Sequence, residues 1–375
     1  MFKKAMVIGL MVFLLLPVSV AAEESVEISS LSAVLYEPDT GRVLYAKDPD
    51  TKRPMASTTK LMTALVAAEC LPMDKIVTIP ETAVLVEGSS MGLRGGDTLT
   101  VRDLLTGMLL SSGNDAANAA ALLSAGSLSA FAEKMNQQAK LLGMHNSLFV
   151  TPSGLDEGGH CSTARDMALL GAAILNSPEL AAMCASKRAT VTISGCSVTL
   201  TNHNRLLSLY APTIGLKTGF TKKSGRCLVS AAQRDGVTLV LATLNGGDYW
   251  NDHMALYEYG FSRTESVKLP LPELPCISVA GGEASSVALQ AESPEPITLL
   301  KGEVNSVSCR VELPSFVWAP VKAGEPIGTV VYELNGAVLR AIPVTVEQTV
   351  SERAPLGFFE KWKRQLNALL IAILE

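Results

Sequence analysis

The chain of 375 residues is 48% hydrophobic and only 18% charged, which excludes a disordered protein and allows one large core, with two domains favoured by length. A formal net charge of -5 and the lack of any long basic tract exclude a protein that collects nucleic-acid phosphates. Seven cysteines with no close-spaced pair fit neither a dense disulfide framework nor a zinc site; most are expected as free thiols, with at most one or two bridges.

The N-terminus, MFKKAMVIGLMVFLLLPVSVAAEE, has two lysines, an apolar run from Ala5 to Leu16, and small residues at Val20, Ala21 and Ala22. This three-part pattern reads as a secretory signal peptide over residues 1–22, so the working chain is expected to be exported. The run is too short for a membrane span and ends in Pro17.

Two strand-like runs follow in ISSLSAVLYEPDTGRVLYAKDPD, separated by the turn residues Pro38, Asp39, Thr40 and Gly41, and predict a hairpin. From Ser57 the composition becomes helical. Further helices are expected at 101–110, 114–123, 128–142 and 163–175. Strand patterns return over 227–246, as two apolar runs around Arg234, Asp235 and Gly236. Strands, then helices, then strands imply an α+β domain over 23–263, whose antiparallel sheet takes its outer strands from both ends of the segment around a helical insertion.

Closely spaced prolines in LPLPELP and ESPEPI mark a change of composition near residue 264. Val- and Gly-rich strand patterns then continue to about Glu347, with Asn335-Gly336 as a hairpin turn, so 264–350 reads as a small all-β domain. In the tail, 356–375, residues Phe358, Phe359, Trp362, Leu366, Leu369, Leu370 and Ile373 share roughly one helical stripe, while Lys361, Arg364 and Gln365 lie largely off it. This is the pattern of an amphipathic helix lying on a membrane surface; docking on its own domain or on a partner is the alternative.

Three short motifs carry the chemistry. In MASTTKLMTAL, Ser57 and Lys60 are three residues apart, so a helix places them on one face. A serine needs a base to become a nucleophile, and a lysine whose charge is disfavoured by burial can be that base. In LLSSGNDAANAA, Ser112, Gly113 and Asn114 sit between two helices, where their side chains can face a cleft. In IGLKTGFTKKSG, Lys217, Thr218 and Gly219 lie on an expected edge strand, which offers a cation, a hydroxyl, open backbone groups and close approach. Each motif alone is more often a solvated helix, a cap or a turn.

Together, in the order Ser-x-x-Lys, Ser-Gly-Asn, Lys-Thr-Gly, they resemble the set found in penicillin-binding proteins and class A β-lactamases. The chain most resembles the low-molecular-mass penicillin-binding proteins that act as serine-type D-alanyl-D-alanine carboxypeptidases. The likeness extends to the opening hairpin, to RPMASTTKLMTAL and to FVTPSGLDEGGHCSTARDMALL, and runs from about residue 25 to 350. Thr151 stands where such proteins often have asparagine, a departure that touches a turn and not the nucleophile.

The resemblance implies a β-lactamase/transpeptidase-like catalytic domain, a following β domain and a membrane-associating helix. It implies Ser57 as nucleophile, Lys60 as base, and Ser112 and Asn114 around the leaving amine and bound peptide. Lys217 and Thr218, beside Gly219, would hold the terminal carboxylate, and the backbone N-H groups of Ser57 and Phe220 would form the oxyanion hole. His160 would support the site, and no metal or other cofactor is implied. The expected substrate is the peptidoglycan pentapeptide ending in D-Ala-D-Ala, with β-lactams as covalent inhibitors. His145, His203 and His253 are expected as surface or packing residues, and Arg165 and Asp166 as cap and ion-pair residues. The alternatives are a β-lactamase, for which Glu157 is the one nearby candidate base, and a catalytically silent wall-binding protein. Endopeptidase action on cross-links would use the same attack.

Overall fold

The computed structural model describes residues 26–354, together with Gly357, Trp362, Lys363 and Leu366. The signal peptide expected at 1–22 and most of the amphipathic helix expected at 356–375 lie outside the described residues.

The first domain opens with β1 (Ser32–Glu37) and β2 (Arg42–Lys47). Their turn is held by the Glu37 carboxylate, which accepts the backbone N-H groups of Asp39 and Thr40, and Gly41 takes the left-handed φ of 72° that the turn needs. A 3-10 turn at Ala56–Thr59 runs into α1 (Lys60–Cys70). The short strands β3 (Ile76–Thr78) and β4 (Thr98–Thr100) pair, and α2 (Val101–Ser111), α3 (Asn114–Ala125), α4 (Leu128–Leu141) and α5 (Ala164–Leu175) complete the expected helices. Thr100, Ser127 and Thr163 cap α2, α4 and α5 by accepting a backbone N-H from the first turn.

Several elements were not expected from the sequence: the short β3-β4 pair, α6 (Pro178–Ala185), the hairpin β5 (Arg188–Ile193) with β6 (Cys196–Thr201), the one-turn α7 (Leu206–Leu209) and the long helix α8 (Tyr249–Arg263). Pro178 at the first turn of α6 and Ser194-Gly195 between β5 and β6, both at positive φ, were the available signals. Strands β7 (Thr213–Thr221), β8 (Gly225–Arg234) and β9 (Val237–Gly246) precede α8 (Tyr249–Arg263).

The sheet has the order β2-β1-β9-β8-β7 and is antiparallel throughout, so one edge comes from the start of the domain and the other from its later half. Strand alternation splits its side chains between two cores. Val34, Val229, Ala231, Val240 and Ala242 face the helices α1–α6, while Ala33, Leu35, Leu228, Leu239 and Leu241 pack under Leu256, Tyr257 and Phe261 of α8. Both faces are covered, which is why these strands read as continuous apolar runs. Beneath α8, His253 is fully buried between Ser230 (Nδ1 to Oγ, 2.6 Å) and Thr243 (Nε2 to Oγ1, 2.8 Å), a packing residue held neutral by burial with its pKa pushed down to about 3.

The chain then enters a smaller β unit through β10 (Thr264–Val267). It contains β11 (Ile277–Ala280), β12 (Ser286–Val287), β13 (Leu289–Ala291), β14 (Ile297–Leu300), β15 (Val307–Glu312), β16 (Phe316–Trp318), β17 (Pro326–Leu334) and β18 (Ala337–Val346). These close on a separate core that includes Val279, Ile297, Val330, Tyr332 and Val344. Asn335 and Gly336, at φ 52° and 81°, form the β17-β18 turn. The unit is tied to the first by β10-β14 pairing, by Thr298 donating to the Asp39 carboxylate (2.8 Å) and by the Arg42-Glu303 ion pair (2.6 Å). All seven cysteines are free thiols.

Candidate active site

The turn before α1 differs from a plain helix start in a way that matters. Ala56 adopts φ 48°, a left-handed conformation that strains an alanine, and it opens the four-residue 3-10 turn Ala56–Thr59. Ser57 is thereby lifted to a half-buried position at the head of α1, while Lys60, the first residue of the helix, is fully buried. Two neighbours lock the turn from behind. Gly154, at φ 86°, lies so close that a Cβ there would collide with the Ala56 carbonyl. The Thr59 hydroxyl donates to the same carbonyl (2.7 Å) and meets His160 Nε2 at 2.8 Å.

The His160 tautomer follows from its other nitrogen. Nδ1 accepts the Val150 N-H at 3.0 Å, so Nε2 carries the proton and donates to Thr59. Burial pushes its pKa down to about 4, against a raising effect from Asp156, and the ring is neutral at neutral pH. It touches the back of the turn before α1, not Ser57 itself.

Lys60 Nζ lies 2.9 Å from Ser57 Oγ, 2.7 Å from Asn114 Oδ1 and 2.6 Å from the Ser153 carbonyl. Those last two oxygens can only accept, so they take two N-H groups of the amine. In the neutral amine the lone pair is then left in the direction of Ser57, the geometry of a base poised for the hydroxyl proton. Desolvation, followed by repulsion from Lys217, holds the Lys60 pKa well below the usual lysine range; Asp115 opposes this weakly. Asn114 is itself oriented by donating from Nδ2 to the Glu87 carbonyl (2.7 Å).

Ser112 is placed by the gap between α2 and α3. It ends α2 at φ 60°, ψ 30°, a left-handed position that turns its side chain out of the helix pattern, and it is buried. Lys60 is engaged by Ser57, Asn114 and Ser153 and not by Ser112. The adjacent Asp115 was not singled out from the sequence, yet it organises the wall of the cleft. Its carboxylate accepts the backbone N-H groups of Met91, Gly92 and Leu93 (2.9, 3.0 and 3.0 Å) and the Ser90 hydroxyl (2.6 Å). The signal was an acid in the first turn of a helix, which is too common to stand out.

Lys217, Thr218, Gly219 and Phe220 lie on β7, the outer strand of the sheet, whose second edge has no strand partner among the described residues. Gly219 abuts the turn that carries Ser57: a Cβ there would lie 2.9 Å from the Met55 carbonyl and 3.0 Å from the amide nitrogens of Ser57 and Thr58. Lys217 is buried and donates to the Thr218 carbonyl at 3.0 Å; burial pushes its pKa down to about 8. Past Phe220, Thr221 donates to Asp156 (2.8 Å), bridging β7 to the loop that carries Ser153 and Gly154. Glu157 is exposed, and its carbonyl accepts the His160 N-H. Arg165 pairs with Asp50, and Asp166 accepts from Asn146 and Ser147. No group of acids, histidines and cysteines able to hold a metal occurs among the described residues.

A serine with a buried lysine at hydrogen-bond distance, its charge disfavoured by desolvation, beside an edge strand that presents a second lysine, defines a serine acyl-transfer site of the penicillin-binding type. The comparisons agree. Residues 18–247 match the family model of D-alanyl-D-alanine carboxypeptidases, and residues 275–352 match that of the C-terminal domain of penicillin-binding protein 5. The chain is 31% identical to D-alanyl-D-alanine carboxypeptidase DacF of Bacillus subtilis, over 95% of this chain and 96% of the relative. It is 35% identical to D-alanyl-D-alanine carboxypeptidase DacC of Escherichia coli, over 92% and 90% of the two chains. The crystal structure of penicillin-binding protein 5 from Haemophilus influenzae superposes with a TM-score of 0.67 at 32% identity, covering 88% of this chain and 99% of that one. The chain belongs to the S11 peptidase family of serine D-alanyl-D-alanine carboxypeptidases.

Proposed function

We propose that this protein removes the terminal D-alanine from peptidoglycan pentapeptide stems through an acyl-enzyme on Ser57, and that β-lactams acylate the same serine. The observation that carries the reading is the contact of buried Lys60 with Ser57 at 2.9 Å, in a family of serine D-alanyl-D-alanine carboxypeptidases. Lys217, with Thr218, receives the terminal carboxylate, whose charge favours the protonated lysine. Ser57 Oγ gives its proton to Lys60 Nζ and attacks the carbonyl between the two D-alanines. The N-H groups of Ser57 and Phe220 take the oxyanion, and Asn114 binds the peptide. The proton passes from Lys60, with Ser112 as its relay, to the departing amine, and the C-N bond breaks. A water then gives its proton to Lys60 and attacks the ester carbonyl; the bond to Ser57 Oγ breaks as Lys60 returns that proton to it, releasing the tetrapeptide and regenerating Ser57.

The remaining parts follow from the sequence: residues 1–22 direct export, 23–263 form the catalytic domain and 264–350 the β domain. The helix of 356–375 holds the enzyme on the outer face of the cytoplasmic membrane. The exposed Trp362 and Leu366 fit an apolar stripe available to lipid.

Intact-mass analysis after incubation with a penicillin, beside Ser57→Ala, tests the site, and D-alanine release from a pentapeptide tests the reaction. One adduct on Ser57, absent from the variant, is expected. A folded protein that forms no adduct and releases no D-alanine would refute the proposal.

A further inference from the structure

The β unit carries an aromatic pair with no role in its core. Phe316 and Trp318 are two residues apart on β16, and hence on one face, while Val317 between them points toward the core. Trp318 is 71% and Phe316 46% exposed, and the rings pack edge to face with centroids 5.4 Å apart. A large indole left in water beside a phenyl ring is a cost that a free surface does not explain.

Its position relates it to the tail. β16 runs parallel to β11 with Ala280 opposite Trp318, and the Arg353 N-H bonds the Gly281 carbonyl (2.8 Å) on the way out of the described domain. Glu352 pairs with Gly282 and Val350 with Val321 in the same corner. The indole therefore sits about two strand spacings, on the order of 10 Å, from the point where the chain leaves for the tail. The contacts with the catalytic domain use β10, β14 and Glu303, and among the described residues none of them involves this corner.

Resting on the reading of 356–375 as a lipid-bound helix, we infer that Phe316 and Trp318 form a second contact with the membrane interface. A tryptophan and a phenylalanine suit that layer, the one as an amphipathic ring and the other as apolar bulk. Lys322 and Arg353 lie at this corner with the carboxylates of Glu283, Glu325 and Glu352, two cations against three anions, so electrostatic attraction to anionic lipid does not drive the contact and it is apolar in origin. Two contacts fix the tilt of the β unit, and with it the height of Ser57 above the bilayer, where one helix on a free linker would not.

The test uses the exported chain, from residue 23 to 375, with Trp250→Phe and Trp362→Phe so that Trp318 is the sole indole. Vesicles of phosphatidylglycerol and phosphatidylcholine, with and without brominated acyl chains, report its depth, and penicillin acylation controls for folding. Bound protein is expected to show a blue-shifted Trp318 emission quenched by the brominated lipid. Phe316→Ala with Trp318→Ala, in the otherwise unchanged chain, is expected to weaken vesicle partition by about tenfold. Vesicle binding without quenching, and with unchanged partition of the double variant, overturns the second contact and leaves the tail anchor standing. A blue shift that depends on protein concentration without lipid assigns the pair to a second copy and also overturns it. Failure to bind vesicles at all removes the tail anchor, and this inference with it.

Discussion

Gly219→Ala is the most informative single change, because it adds one methyl group between the nucleophile turn and the strand expected to hold the substrate. The new Cβ would lie 2.9 Å from the Met55 carbonyl and 3.0 Å from two amide nitrogens, all backbone atoms that no rotamer can move aside. Ordinary contact begins near 3.4 Å, so β7 must retreat by roughly 0.5 Å. Overpacking of this kind costs about 1–3 kcal/mol of stability. The functional loss should be the clearer signal, since displacement of about 1 Å in a reacting geometry costs on the order of a hundredfold, and half of that about tenfold or more. Stopped-flow acylation by a fluorescent penicillin measures the rate constant, and thermal unfolding measures the stability. A ten- to hundredfold slower acylation in a protein still folded at the assay temperature is expected. An unchanged rate would refute the argument that the contact between β7 and the Ser57 turn sets the geometry.

Three further outcomes follow from the same structure. Lys60→Gln should lower acylation by about 10²–10⁴-fold while leaving the fold intact by circular dichroism, since the base is lost and a polar group remains for Asn114 and Ser153. In the free enzyme, acylation per mole of penicillin should rise as pH climbs through the depressed Lys60 pKa and fall again near 8 as Lys217 loses its charge; Lys217→Arg should move that alkaline limb upward, and an unmoved limb would exclude Lys217 as its source. His253, neutral and buried with its pKa lowered from 6.5 to about 3, gives stability that is fully present above pH 6.5 and lost as pH falls toward 3, because the unfolded chain binds the proton first; the ceiling is on the order of 5 kcal/mol, and a Tm profile of His253→Gln should be flatter across that window.

The sequence by itself determined the local chemistry. Asp-Thr-Gly, Asp-Gly and Asn-Gly turns and apolar periodicity gave many of the strands and helices, because these signals act between residues only a few positions apart. The Ser-x-x-Lys spacing likewise needs one helical turn to bring Ser57 and Lys60 together. Recognising Lys217 as part of the same site came from family resemblance, since nothing local joins residues 57 and 217.

Tertiary structure alone decided the rest. Asn114 and the Ser153 carbonyl reach Lys60 from two other segments and set the direction of its lone pair. Burial by surrounding helices, which no tripeptide encodes, lowers the lysine pKa. Asp115 organising residues 90–93 and Gly154 backing onto Ala56 are contacts between segments, so neither residue announced its role in sequence. Helix α8 escaped for a related reason: its buried face, from His253 to Phe261, mixes polar and aromatic residues whose inward position is explained only by the sheet that satisfies them. A strong nucleophile motif is written along the chain, but the electrostatics that make it a nucleophile depend on what the fold packs around it.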